Sequence, residues 1–289
     1  MLNAHATILV DADRGIVFAK NPQWIDGHLL VLDVHDRSVK SIDPAGMIQT
    51  VKPLSFLPGC FEALADGSLV VGDARRRKLH FCERDCESQV VDVSADIVTW
   101  LSDSVCDNRG GMYIGDVGFD FLNPSVEPVP HGLIVYINAA GESSVVAADL
   151  FSPQSMIVTP DNSTLIVAET LGHRLTAFEI GLCGSLSNRR VLVEFEDAVS
   201  PSGITLDSEG AVWTTGPGAS AWRLKEGATV DQVISTERPV RDLVLGGPER
   251  KHLFMCTSAS SDPVITRRTP NASIEVFEVS IPGSVRNQS

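Results

Sequence analysis

Apolar residues along this chain fall in short runs, each closed by a polar residue and each preceded by a turn signal. The clearest copy is Pro22-Gln23-Trp24-Ile25-Asp26-Gly27-His28-Leu29-Leu30-Val31-Leu32-Asp33. Two β-prone runs flank Asp-Gly there, the strongest short-range hairpin signal, because Gly takes positive φ without steric cost. The pattern recurs at Asp66-Gly67 before Ser68–Asp73 and at Arg109-Gly110 before Gly111–Asp116. It returns at Asp161-Asn162 before Ser163–Glu169, where Asn tolerates the left-handed conformation, at Glu209-Gly210 before Ala211–Thr215, and more weakly at Arg250-Lys251. The turn positions 27, 67, 110, 162, 210 and 251 are spaced by 40 to 52 residues. A period of this size built from short strands predicts propeller blades, and six copies predict six.

The expected fold is therefore all-β, a six-bladed β-propeller occupying residues 1–289 as a single domain. Blades are expected over roughly 18–53, 57–93, 100–149, 153–194, 200–235 and 238–280. Residues 5–10 form a lone strand, and the last blade lacks a fourth. The N-terminal strand is expected to join that blade and close the ring, removing an open edge. The innermost strand of each blade lines the channel of a propeller, so the residues that open those strands converge on one mouth. Lys20, Cys60, Ser102, Gln154, Ser202 and Arg241 hold those positions. Blade three carries the longest insertion, Asp116 to His131, with three prolines and two phenylalanines, and it is expected to sit over the mouth as a lid.

Composition narrows the partners. The net charge is −14, from 23 Lys and Arg against 37 Asp and Glu, which argues against nucleic acid and against an anionic membrane surface. The basic run Arg75-Arg76-Arg77-Lys78 falls on a turn and is expected to be solvated. No run approaches the roughly 18 apolar residues of a membrane span. The first residues lack a basic segment followed by an apolar one, so a cytoplasmic protein is expected. The six cysteines have no CxxC spacing and are read as reduced thiols.

In Asn21-Pro22-Gln23-Trp24, Asp103–Gly110, Pro153–Asp161, Leu165–Thr170, Ser185–Arg190 and Leu245–Pro248, the chain resembles the SMP-30/gluconolactonase/luciferin-regenerating-enzyme family of six-bladed propellers. The resemblance spans nearly the whole chain. It implies a lactone hydrolase with one divalent cation, held by a Glu, an Asn and an Asp, with a further Asn binding substrate. At those matched positions this sequence has Lys20, Gln154, Ser202 and Ser102, and only the neighbouring Asp103 is kept. A hard divalent ion needs oxygen ligands with net negative charge. No metal and no other cofactor is therefore expected.

The replacements are polar and suit other chemistry. Lys20 and Arg241 bring positive charge for an anionic or enolate-like oxygen, and a desolvated Lys can also act as base or nucleophile. Lys20, Asp103 and Asp116 are the catalytic candidates, the two acids for proton transfer. Trp24, Cys60, Ser102, Phe119, His131, Gln154, Ser202 and Arg241 are the substrate-binding candidates, with Trp100 and Phe121 as further apolar wall. No His stands at a fixed spacing from Ser102 or Ser202 to suggest a triad. Three functions follow: a metal-independent enzyme performing dehydration, isomerisation or cyclisation on an anionic or aromatic metabolite, a lactone hydrolase, or a non-catalytic ligand-binding propeller.

Overall fold

The computed structural model describes residues 4–64, 66–83, 87–120, 123, 129–196 and 199–285. Strands β1 (Ala4–His5) and β2 (Thr7–Val10) precede the first blade, β3 (Ala19–Ile25), β4 (His28–Asp33), β5 (Ser38–Ile42) and β6 (Ile48–Pro53). The second blade is β7 (Pro58–Ala63), β8 (Leu69–Asp73), β9 (Lys78–Cys82) and β10 (Glu87–Asp92). The third is β11 (Leu101–Cys106), β12 (Met112–Asp116), β13 (Gly132–Ile137) and β14 (Ser143–Leu150). The fourth is β15 (Pro153–Val158), β16 (Thr164–Glu169), β17 (Arg174–Ile180) and β18 (Leu186–Glu194). The fifth is β19 (Ile204–Leu206), β20 (Val212–Thr215), β21 (Ser220–Lys225) and β22 (Thr229–Ser235). The sixth is β23 (Val240–Gly246), β24 (His252–Ser258) and β25 (Ala272–Glu278), with the short helix α1 (Pro263–Arg268) before its last strand. All six are antiparallel meanders, the six blades of a β-propeller.

The chain divides into two compact units of three blades each, Met1–Leu57 with Ser202–Val285, and Pro58–Pro201. In the first unit β2 pairs antiparallel with β25, through Thr7↔Val276 and Ile8↔Glu275, and supplies the fourth strand of the sixth blade. The preceding two residues continue onto the fifth blade, where β1 runs parallel to β22. Apolar residues of neighbouring blades within a unit pack together into shared cores. Leu29, Val31, Phe254 and Ile274 belong to one such cluster, and Cys60, Leu101, Ile114 and Val135 to another.

Only the first Asp-Gly turn is a two-residue hairpin. Ile25 pairs with His28, and Asp26 and Gly27 take φ of 48° and 81° as a type I′ turn requires. In the third and fifth blades the loop is wider, closing at Cys106↔Met112 and Leu206↔Val212. The acid that begins each loop explains the difference. Asp107 Oδ1 accepts from the amides of Arg109 and Gly111, and Asp207 Oδ1 from those of Glu209 and Ala211, so a side chain replaces the strand ladder as organiser of the turn.

The acids that close the second strands have an equally local task. Asp33 Oδ1 and Oδ2 accept from the amides of Phe18 and Val17, which lead into the first blade. Asp116 accepts from the amides of Val98, Thr99 and Trp100, which lead into the third, and Glu169 from that of Phe151, which leads into the fourth. Asp73 folds the following turn instead, through Arg75 and Arg76. Loop amides buried with no strand partner need such acceptors, which is why an acid recurs there.

Helix α1 covers His35. That ring stacks on Phe18 at 4.5 Å, and its Nδ1 lies 2.7 Å from Thr266 Oγ1. Burial first, then the Arg267 charge, lowers its pKa to about 4, against the opposing pull of Asp33 and Asp262. A folded-state pKa below the unfolded one favours the neutral ring. The contribution is therefore complete above pH 6.5, declines as pH falls, and is gone below about 4. Discounted for partial exposure, it is on the order of 1–2 kcal/mol. Urea unfolding at pH 7.5 and pH 5 should show this loss in the native chain, and His35→Leu should flatten the difference.

Candidate functional site

In the first unit the sequence candidates Lys20, Ser202 and Arg241 come together. Lys20 sits in a β-bulge, where the register of β3 against β4 shifts between Lys20 and Gln23 and Asn21 takes a left-handed φ of 46°. A matching bulge in β23 falls between Val240 and Asp242. The bulges withdraw Arg241 from the ladder and turn its carbonyl towards Lys20 Nζ, at 3.0 Å. The ammonium also donates to the Ser202 carbonyl at 3.2 Å and lies 3.5 Å from Asp242 Oδ2. Its side chain is 16% exposed. Ser202 Oγ donates to the same Arg241 carbonyl at 2.8 Å. The Arg241 guanidinium, half-buried, donates through Nε to the Ser258 carbonyl at 3.1 Å. Burial lowers its pKa, but an arginine stays a cation in proteins. Among the described residues no protein acceptor takes its Nη groups. The Lys20 ammonium and the Asp242 carboxylate form an ion pair here, and the Arg241 side chain reaches Ser258.

Asp242 is the residue that sequence reasoning missed. It is 4% exposed and accepts from the amides of Asn21 and Leu243. The signal was in the register: Val240-Arg241-Asp242 repeats Leu101-Ser102-Asp103. In both blades the Asp accepts from an amide of another blade's inner strand, Met156 in the case of Asp103.

In the second unit the strand openings also bulge, between Pro58 and Cys60, Leu101 and Ser104, and Pro153 and Ser155. Ser102 Oγ donates to the Pro153 carbonyl at 2.7 Å and fills the space a Cβ on Gly115 would need. Gln154 Nε2 donates to Ser152 Oγ, and the residue is half-buried. Asp103 is 7% exposed, with Oδ2 held by the Met156 amide at 3.0 Å. Phe119 is half-buried and His131 exposed.

Several candidates have other work. Asp116, read from sequence as an acid or base, is 0% exposed; besides three loop amides it accepts from Thr99 Oγ1 and the Gly118 amide, so neither oxygen faces a substrate. Trp24 stacks on Phe254 at 5.1 Å within the apolar core. Cys60 is 1% exposed, and burial pushes its thiol well up, the reverse of an activated nucleophile. Trp100 Nε1 donates to Asp120 at the base of the insertion. Phe121 and the tip of the expected lid lie outside the described residues.

A divalent ion fits none of this. At Lys20, where the family resemblance implies a ligating Glu, an ammonium is surrounded by two carbonyls and a carboxylate. Such oxygens would suit a cation of their own, and Lys20 Nζ already stands among them. Among the described residues no three His, Cys, Asp or Glu side chains come close enough to share a metal. The five described cysteines are free thiols, and no described helix is long and apolar enough to cross a membrane.

Comparison with known proteins bears on the fold and the family. An uncharacterised protein of Sulfolobus acidocaldarius is 22% identical over 252 residues, 83% of this chain and 86% of its own. A luciferin-regenerating enzyme superposes with a TM-score of 0.80 at 17% identity, covering 97% of this chain and 98% of its own. Regucalcin of Agrobacterium tumefaciens, described as a calcium-binding protein, gives 0.80 at 16% identity over 99% and 98%. At these identities the two solved structures establish the fold alone. The model of the SMP-30/Gluconolactonase/LRE-like region matches residues 18–259, and the chain belongs to that family.

Proposed function

We propose that this protein is a metal-independent enzyme acting on a small organic anion, with Arg241 as the clamp for the substrate's carboxylate or enolate oxygen. Lys20 is the fixed positive charge that stabilises negative charge developing on oxygen. The observation that carries this reading is an ammonium held among three oxygens, one of them the carbonyl of Arg241, whose own Nη donors are not engaged by described protein groups. Two carbonyls accept from the ammonium and Asp242 pairs with it, so Lys20 acts through its field and not as base or amine nucleophile. Preorganised charge of this kind drives proton-transfer chemistry, as in dehydration, isomerisation or cyclisation, without a Lewis acid. The expectations of a small-molecule partner and a cytoplasmic setting accord with this role.

Lactone hydrolysis is the second reading, and family membership favours it. Attack on a lactone carbonyl also builds an oxyanion that Lys20 and Arg241 would stabilise. The test is a turnover screen of the full chain on hydroxy and keto acids alongside five- and six-membered lactones, all with chelator present. Conversion of acids that falls at least tenfold in Arg241→Gln supports the first reading. Conversion of lactones alone supports the second, and equal turnover by Arg241→Gln contradicts both.

A further inference from the structure

The loop that joins β24 to β25, residues 259–271, carries α1 out of the sixth blade and seats it on the first. The loop is closed at its base: the Ala259 amide donates to the Asn271 carbonyl at 3.2 Å, and Ser258 Oγ lies 2.6 Å from Asn271 Oδ1. Asp262 caps the helix, accepting from the Val264 amide at 2.7 Å, and Pro263 holds the first helical position. Val264 and Ile265 are 56% and 49% exposed, whereas Thr266 between them and Arg267 is 3% exposed. One buried side chain therefore carries the seat. Both hydrogen bonds from the helix to the first blade end on His35, where Thr266 Oγ1 meets the ring Nδ1 and Arg267 Nε donates to the carbonyl at 3.0 Å.

Each end of this loop attaches beside one partner of the Lys20 contact. At the base, the Ser258 amide donates to the Pro239 carbonyl at 3.0 Å, and the Ser258 carbonyl accepts from Arg241 Nε. Those bonds grip the strand opening whose Arg241 carbonyl meets Lys20 Nζ. At the tip, His35 stacks on Phe18, two residues before Lys20, and the Phe18 amide is itself held by Asp33. The loop thus spans the same seam between the sixth and first blades that Lys20 spans in reaching Arg241. Two bridges across one seam reinforce each other, because each keeps the partners of the other close.

We propose that residues 259–271 are a strap that sets the spacing of the first and sixth blades at the Lys20–Arg241 contact, with Thr266 and Arg267 as positioning residues. The strap acts on the geometry around Lys20 and is independent of the reaction proposed there.

Acetylation of the full chain by limiting acetic anhydride, read for each lysine by peptide mass spectrometry, tests this without a substrate. Lys225, whose side chain is 52% exposed on the fifth blade, serves as the internal standard, and Lys20, 16% exposed, should react more slowly. Thr266→Val removes the hydroxyl at nearly constant shape and should raise the Lys20 rate relative to Lys225 by about three- to tenfold, the worth of one hydrogen bond. Thr266→Ser, which keeps the hydroxyl, should restore the native rate. Arg267→Met, at an exposed position that does not threaten folding, should act in the same direction as Thr266→Val. A native Lys20 rate in Thr266→Val or in Arg267→Met, or a Thr266→Ser chain as reactive as Thr266→Val, would overturn the proposal.

Discussion

Asp116→Ala is expected to destabilise the second unit by about 3–5 kcal/mol, the range for removing one partner from a buried, hydrogen-bonded charge. Five hydrogen-bond donors converge on this carboxylate: the amides of Val98, Thr99, Trp100 and Gly118, and Thr99 Oγ1. All would lose their acceptor at once, in a pocket sealed from water. Asp116→Asn should cost less, because one oxygen remains to accept. The chemical-denaturation midpoint measures the loss. Turnover per folded molecule should change little in either variant. A variant of native stability that has lost turnover would return Asp116 to the catalytic role first read from sequence.

The second large effect belongs to Lys20 and Arg241. Lys20→Met removes the charge proposed to stabilise the transition state and should lower kcat by about 10²–10³, the loss typical of one preorganised electrostatic donor. It also leaves Asp242 and two carbonyls without their ammonium, so stability should fall by about 2–3 kcal/mol. The double variant Lys20→Met/Asp242→Asn should recover much of that stability and none of the turnover. Arg241→Gln should chiefly raise KM, by roughly tenfold or more, since a charge-assisted clamp on a carboxylate contributes about 1.5–3 kcal/mol. Recovery of turnover in the double variant would show that Lys20 acts only as structural support for Asp242.

These expectations divide according to what a sequence can carry. The blades were legible because a hairpin depends on neighbours within about ten residues, and a related hairpin recurs in all six blades, closed by an acid in four. The fourth strand of the last blade was legible for a topological reason: an unpaired edge at one terminus and a spare strand at the other. The bulges were not. A residue leaves the ladder only when both strands are in place, and no run of apolar and polar positions marks it in advance. Asp242 was hidden for that reason, although its repeat of Asp103 was in the register. Asp116 was misread because its position, at the end of a strand leading into an insertion, is common to catalytic and loop-organising acids. What separates them is burial and donor count, which are tertiary. Trp24 and Cys60 were placed correctly on the inner strand, but sidedness, decided by Phe254 for one and by burial against its neighbours for the other, sends both into the core.

We propose that the Lys20 ammonium stands in place of a divalent cation. Elemental analysis of purified full-length protein, paired with thermal unfolding in Ca²⁺, Mn²⁺ or Zn²⁺ against EDTA, tests it most directly. No stoichiometric metal and superimposable melting curves are expected, because the oxygens around Lys20 already hold a charge that cannot be chelated away. One equivalent of bound metal, or a melting temperature raised by any of the three ions and lowered by EDTA, would contradict it.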